Sequence, residues 1–426
     1  MITQLQTDAY KHFRRVVNDS GSIVDNVENR KSIDELVAGS KELIESASLV
    51  MVPSGVKSGK LRSLKPTDGS GDFTVARNSV KWVKGKDGLY REVAVNVPGM
   101  EWSEAAGKWG VLVEPQATNL LAQSYNFSNA YWSKAGATID NNGGAGYDCP
   151  FLAANNVNLK RAFKLAATSN AGYIRLATAL TVTAAQTYTN SIFIKRLTGT
   201  GTVSIIDTNG TDRTITVTND WTRVTYSSVA SATTGQIGIK LATSGDEVMI
   251  CQADVVNAAA VSSPIFTAGA TVTRLSDGIA TSAISLSPES STWYAEFSNA
   301  NQLASGSYGV MQKINNTAYK IGLGLTAGNR RFILLNYENS VETFALTASA
   351  IITEFAFTKI AIKATTTSIK LFVNGVMAAS LSGSYSINQY NQINYNSVST
   401  AFKMMLFKNA VYSDLTDAEC IALTTL

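Results

Sequence analysis

Histidine is almost absent: the 426 residues contain one, His12. Ser-His-Asp and Cys-His catalysis in the body of the chain is thereby excluded, as are zinc sites built from several histidines. Cysteine is sparse too. Cys149, Cys251 and Cys420 are odd in number, far apart and without a Cys-x-x-Cys pair, so they read as buried free thiols of a chain made in a reducing cytoplasm. Charged residues amount to 16%, against about 25% in ordinary globular domains. Lys and Arg number 36 and Asp and Glu 32, a net charge of +4, too weak for a dedicated nucleic-acid binder. Apolar runs such as residues 49–52 are far too short to cross a bilayer. The opening MITQLQTDAYKHFRR has no apolar core of a signal peptide.

What is present is enough apolar material for real cores, 45% of residues, with polarity supplied by Ser, Thr, Asn and Gln. Residues 1–52 differ from the rest. Ile2, Leu5, Ala9, Phe13 and Val16 recur at spacings of three and four, a helical stripe. Gly21 is a stop signal, and Ser32 with Glu35 makes a capping-box pattern. Two or three short amphipathic helices are expected there, and such a stripe needs a partner to bury it. Residues 53–118 read as a basic, turn-rich connector, and residues 41–95 carry ten Lys or Arg against six Asp or Glu.

Residues 119–285 carry strand patterns at short intervals: QTYTNSIFIKRL, WTRVTYSSV, GQIGIKLAT and VMICQADVVNA, with a hairpin signal at Asn209-Gly210. That spacing indicates a sandwich or jelly roll. Residues 286–426 form a second β unit with WYAEFS, FTKIAIKA and SIKLFV, a hairpin at Asn374-Gly375, and a closing helix announced by Thr416 and Glu419. The fold class is mainly β: short N-terminal helices followed by two β-sandwich domains.

Three pieces carry a family resemblance. SLVMVPSGVKSGKLRSLKPTDGSGDFTVARNS, LVEPQATNLLAQSYNFSNAYWSKAGATI and SSPIFTAGATVTRLSD resemble the lead-in, opening and closing strands of head-spike or head-fibre proteins from gut Bacteroidales phages of the crAss-like type. The resemblance implies a carbohydrate-binding-module-like jelly roll over residues 119–285. IKLFVNGVMAASLSG and MLFKNAVYSDLTDAE are similar to concanavalin-A-like and laminin-G-like sandwiches, which implies that fold for residues 286–426. The resemblance implies a virion protein, a head fibre or spike protomer, assembled as a homotrimer. The N-terminal segment would hold it to the major capsid protein or another virion protein, and its sandwiches would face host surface polysaccharide.

Active laminarinase-type sandwiches need Glu-x-Asp-x-Glu on one strand, and no such triplet occurs. Glu296 stands alone on its strand, and Glu338 and Glu342 flank a turn. Asp414, Asp417 and Glu419 surround the last helix, where they suit its N-terminus. No catalytic residue, cofactor or metal is therefore expected. An adhesin on a tail fibre and a capsule depolymerase are the alternatives, the latter needing carboxylates that converge from separate strands.

Several residues invite a functional reading beside a plain one. Tyr385, Tyr390 and Tyr395, interleaved with Asn391 and Gln392, offer stacking faces and amide pairs for sugars. The same stretch suits a wet protein interface or an ordinary exposed loop, and its five-residue period demands a loop or bulge for one platform. Trp221 follows a turn and is a second stacking candidate, whereas Trp132 reads as core. Asp207, Asn209 and Asp212 gather at a hairpin tip and are weak metal candidates, with turn chemistry as the plainer account. Asp68 and Asp72 bracket Gly-Ser-Gly and read as a structural turn rather than a calcium loop. His12, beside Arg14 and Arg15, reads as an ordinary helix residue. The basic run Lys57–Arg62 with Lys65, Lys81, Lys84 and Lys86 could meet an acidic capsid surface or phosphate and reads more plainly as solvated.

Overall fold

The computed structural model describes residues 22–23, 46–53, 55–140, 149–152, 161–282, 284, 286–299, 308–315, 320–326, 331–338, 341–351, 357–387, 390–396 and 403–426. Among them the chain is built of strands, with one α-helix, Asp417–Thr424. It divides into two compact units. The first comprises Met1–Val80, Val93–Pro115 and Ser276–Leu426, the second Lys81–Glu92 and Gln116–Leu275. The stretch expected as a connector thus supplies strands to both units.

The first unit has a ten-stranded and an eight-stranded sheet. In the ten-stranded sheet Phe73–Ala76 pairs with Gly278–Thr281, which pairs with Ile393–Asn396. An antiparallel meander from Tyr308–Asn315 to Val341–Ile351 continues it. In the eight-stranded sheet Ser290–Asn299 lies between Phe357–Thr365 and Met404–Tyr412. Alternation decides which side chains go inside: Trp293, Ala295 and Phe297 enter the core with Phe73, Ile279, Ile362, Leu371 and Leu406. Each fully buried aliphatic or aromatic side chain contributes about 1.5–3 kcal/mol.

Met404–Tyr412 is buried at every position, because its outer face is covered as well. Leu415, Cys420 and Leu423 pack there on Tyr294, Ala361, Phe372 and Tyr412. The helix starts as its sequence specifies. The Glu419 amide donates to Thr416 Oγ1 at 3.2 Å, and the Thr416 amide donates to Glu419 Oε2 at 2.7 Å. Lys363 and Lys370 both reach Asp417 in its first turn.

The expected N-terminal helices lie outside the described residues, apart from their end. Ala47–Met51 is a strand, paired with Met404–Tyr412. Leu49 and Met51 are core residues, so this apolar run serves the sheet rather than a helix. Ser22–Ile23 pairs with Gly55 and Val56.

The second unit is layered. One five-stranded sheet runs Trp132–Ala135, Gly172–Leu176, Gly238–Leu241, Val203–Ile206 and Asp212–Ile215. The other runs Ala137–Asp140, Phe163–Ala167, Glu247–Val256, Thr187–Thr198 and Thr222–Val229. Between them lie Trp132, Ile174, Ile205, Ile239, Leu165, Ile192, Ile194, Val248 and Ile250. The outer face of the second sheet carries a further layer. Lys81–Lys84, Tyr90–Val93 and Phe151–Leu152 form a three-stranded sheet, and Trp82 and Phe151 pack on Phe193, Met249 and Cys251.

Candidate functional site

The three tyrosines lie far from where their spacing suggests. Tyr385, Tyr390 and Tyr395 are 8%, 0% and 2% exposed and belong to the core of the first unit. Residues 385–387 and 390–392 are not strand, so the five-residue period need not divide them between two faces. All three turn inward. The Tyr390 ring meets Trp293 edge-on at 6.4 Å, and the Tyr395 hydroxyl accepts from Asn409 Nδ2. Burial pushes the Tyr395 hydroxyl far above the usual phenol range. Each ring removes on the order of 150–250 Å² from water, and that gain places the aromatic residues inside despite their amide neighbours. Asn391 and Gln392 are half-buried beside them. This corrects the expectation of an exposed stacking surface on these tyrosines.

Trp221 is half-buried against the Trp82–Phe193 cluster, with Lys195 Nζ 5.3 Å from its ring centre. Trp132 is core, its Nε1 donating to the Gln123 carbonyl at 3.0 Å. The cavity beside Trp132 holds about 20 Å³, room for about one water and too little for a sugar.

The candidate carboxylates among the described residues are occupied. Asp207 is fully buried and accepts from the amides of Asn209 and Thr211 and from Arg213 Nε, at 2.9, 3.0 and 2.9 Å. Asn209 ties its hairpin to Val229 and Ser231, and Asp212 pairs with Lys240. These are turn and ion-pair roles, and an arginine stands where a cation would. Asp68 caps its own turn through Ser70, while Asp72 accepts from Ser63 and lies 3.8 Å from Arg62. Among the described residues no three His, Cys, Asp or Glu side chains converge as metal ligands. The basic run is not simply solvated, since Arg62 and Lys81 are 1% and 0% exposed. His12 and the side chains of Lys57, Glu338 and Glu342 lie outside the described residues.

Glu296 is engaged structurally too. Tyr294 donates to its Oε1 at 2.8 Å and Lys108 to its Oε2 at 3.2 Å, with Lys408 Nζ 4.0 Å away. Burial alone would raise this carboxyl, but Lys408 and Lys108 outweigh it and hold it below the usual range. No second carboxylate is paired with it among these contacts.

The family-like motifs serve as clasps. Asn119 Nδ2 lies within hydrogen-bond distance of the Ala253 and Ile265 carbonyls and Asp254 Oδ1, at 3.1, 2.8 and 3.1 Å. Its Oδ1 accepts from the Leu121 and Val255 amides. Arg223 closes the cluster on Asp254 at 2.9 Å. In the first unit Arg77 donates to Asp277 at 3.1 Å, and Asp277 accepts from the Glu114 amide at 2.9 Å.

Among the described residues a further polar surface stands out, which the sequence did not single out. It is the outer face of the sheet that contains Gly172–Leu176. Ile174 and Leu176 point into the core, so Tyr173 and Arg175 point outward. Cross-strand register sets Ala135, Tyr173, Lys240, Ser204 and Thr214 in one row. Ser133, Arg175, Gly238, Ile206 and Asp212 make the next row. Arg175 is exposed, and its guanidinium lies 4.7 Å from the Tyr173 ring centre. Gly238 adds no side chain beside Arg175, and a Cβ there would meet the Ile174 carbonyl. Ser204 and Ile206 are buried in this face, while an aromatic ring, a guanidinium, an ammonium–carboxylate pair and the exposed Thr214 hydroxyl share the rest of it. This set suits a hydroxyl-rich ligand, by ring stacking and by paired donors from the guanidinium. The signal available was the alternation in GYIRL, which sets Tyr and Arg two apart on the face opposite Ile and Leu.

No family model matches the sequence, and no curated protein does. Among solved structures, the Ruminococcus gnavus IT-sialidase CBM40 bound to α2,3-sialyllactose aligns with 33% of this chain and 84% of its own, at 18% identity and TM-score 0.27. The botulinum neurotoxin type G receptor binding domain aligns with 34% of this chain and 39% of its own, at 12% identity and TM-score 0.27. The binding domain of botulinum neurotoxin DC, in complex with rat synaptotagmin II, gives 34%, 39%, 11% and 0.29. Overlaps of this size leave the ligand of this chain to be argued from its own residues.

Proposed function

We propose that this chain is a non-catalytic binding protein, a fibre or spike protomer of a phage virion that grips host surface polysaccharide through its second unit. The observation that carries the binding role is the sheet face on which Arg175 lies over Tyr173, with Lys240, Asp212 and Thr214 beside them. The virion role is supported by the lead-in and jelly-roll motifs in the sequence. A trimer held to the capsid by the N-terminal segment belongs to the same reading. A weak site repeated on many copies would gain avidity without strong single contacts. The carboxylates described above are engaged by amides, lysines and arginines, which favours binding over capsule cleavage.

The test is retention of the full chain on a glycan array spanning neutral and acidic bacterial polysaccharides. Arg175→Ala and Tyr173→Ala are expected to weaken binding at least about tenfold, some 1.4 kcal/mol, without changing the circular dichroism spectrum. Arg175 is exposed and Tyr173 half-buried, so the arginine variant keeps the test clear of folding effects. Retention that both variants preserve would place the site elsewhere, and no retention on any glycan would sink the binding role.

A further inference from the structure

Cys149 and Cys251 are about a hundred residues apart in sequence, yet they share one small packed cluster. Both are buried thiols, among Trp82, Phe151, Phe193 and Met249. Cys251 lies on the central strand Glu247–Val256, opposite Phe193. The next residue, Gln252, sits at a shift in strand register with φ of +33°, a bulge that re-aims side chains locally. Cys149 lies two residues before the strand Phe151–Leu152 of the three-stranded sheet. That sheet is held at this point by the Tyr90 amide donating to the Pro150 carbonyl at 2.7 Å. Both side chains thus belong to the one small cluster packed between the three-stranded sheet and the five-stranded sheet.

We propose that Cys149 and Cys251 form a disulfide when the chain folds or opens in an oxidising medium, stapling the three-stranded sheet to the five-stranded sheet beneath it. With a small disulfide such as oxidised glutathione as oxidant, one cysteine thiolate attacks its S–S bond and releases one glutathione thiolate. The second cysteine thiolate then attacks the mixed disulfide and releases the other. The cysteines lose two protons and two electrons, and two reduced glutathiones carry them away. In the closed chain, burial and the neighbouring Cys149 thiol keep the Cys251 thiol well above its ordinary range. The pair is therefore inert while packed and reacts during folding or opening. A chain folded in a reducing cytoplasm would carry two thiols there, and one that folds or opens in an oxidising medium would acquire the bond. Cys420 lies in the other unit, buried under the final helix, and has no part in it.

The experiment compares the full chain refolded from denaturant in dithiothreitol with the same chain refolded in a glutathione redox buffer. Each sample is then denatured, alkylated with iodoacetamide and mapped by mass spectrometry without reduction. The reduced sample is expected to take label at all three cysteines. The oxidised sample should take it at Cys420 alone, with a cross-linked peptide pair containing Cys149 and Cys251. Closing a loop of that length should raise the melting temperature of the oxidised second unit by about 10 °C. Three labelled cysteines after redox refolding would overturn the proposal. So would a cross-link involving Cys420, or an oxidised chain that melts no higher than the reduced one.

Discussion

Asp87 and Arg91 make a surface pair whose pH dependence can be worked out from one side chain. The Arg91 guanidinium donates to both Asp87 oxygens, at 2.8 and 2.6 Å, and holds the carboxyl down to about 2 from 3.8. The folded value is the lower one. Between pH 4 and 2 the unfolded chain therefore binds more protons, and the stabilisation fades as pH falls through that window. Both side chains are nearly half exposed, so solvent screening limits the effect to about 0.5 kcal/mol. Asp87→Asn is accordingly expected to destabilise the second unit by that amount at pH 7 and by nothing measurable at pH 2, in urea melts at both values. An equal loss at both pH values would mean that the carboxylate charge is not what matters.

Single elements follow their local chemistry closely. The Asn374-Gly375 hairpin has φ of +47° and +83° at its two turn residues, the left-handed pair that a two-residue turn needs. It joins Ser368–Val373 to Val376–Ser382. Asn374 Oδ1 accepts from the Lys359 amide at 2.9 Å, and a Cβ on Gly375 would meet Thr425 Oγ1 at 2.9 Å. Gly375→Ala should cost about 1–2 kcal/mol from strain and crowding together, read as a lower urea midpoint with unchanged slope. An unchanged midpoint would show that the turn relaxes freely. The final helix was legible from Thr416 and Glu419 for the same reason: caps are satisfied within four residues.

At the scale of the whole molecule each unit carries its own core and its own clasp. Asn119, Asp254 and Arg223 close the second unit, and Arg77 with Asp277 closes part of the first. Domains with separate cores unfold as separate cooperative transitions. Asn119→Ala strips partners from buried carbonyls, amides and a carboxylate, a loss of about 3 kcal/mol. Asp277→Ala leaves the buried Arg77 without its ion partner, about 3–5 kcal/mol. Scanning calorimetry should show each substitution lowering one transition by roughly 6–12 °C and leaving the other in place. A single transition that both variants shift alike would mean that the units unfold as one.

The sequence by itself determined what depends on near neighbours. The β-branched and aromatic strand TYTNSIFIKRL, the turns at Asn209-Gly210 and Asn374-Gly375, the capping box and the mainly β class were all readable, because strand propensity, turn angles and caps are set within a few residues. The tertiary structure decided what depends on distant partners. It alone placed the apolar run Ala47–Met51 as a strand beside Met404–Tyr412, since a short apolar stretch has no period to tell strand from helix. It turned Tyr385, Tyr390 and Tyr395 inward, because burial is set by what covers a residue and not by its neighbours' polarity. It also set Tyr173 and Arg175 beside Lys240 and Asp212, a face assembled by strand order, which no local pattern encodes.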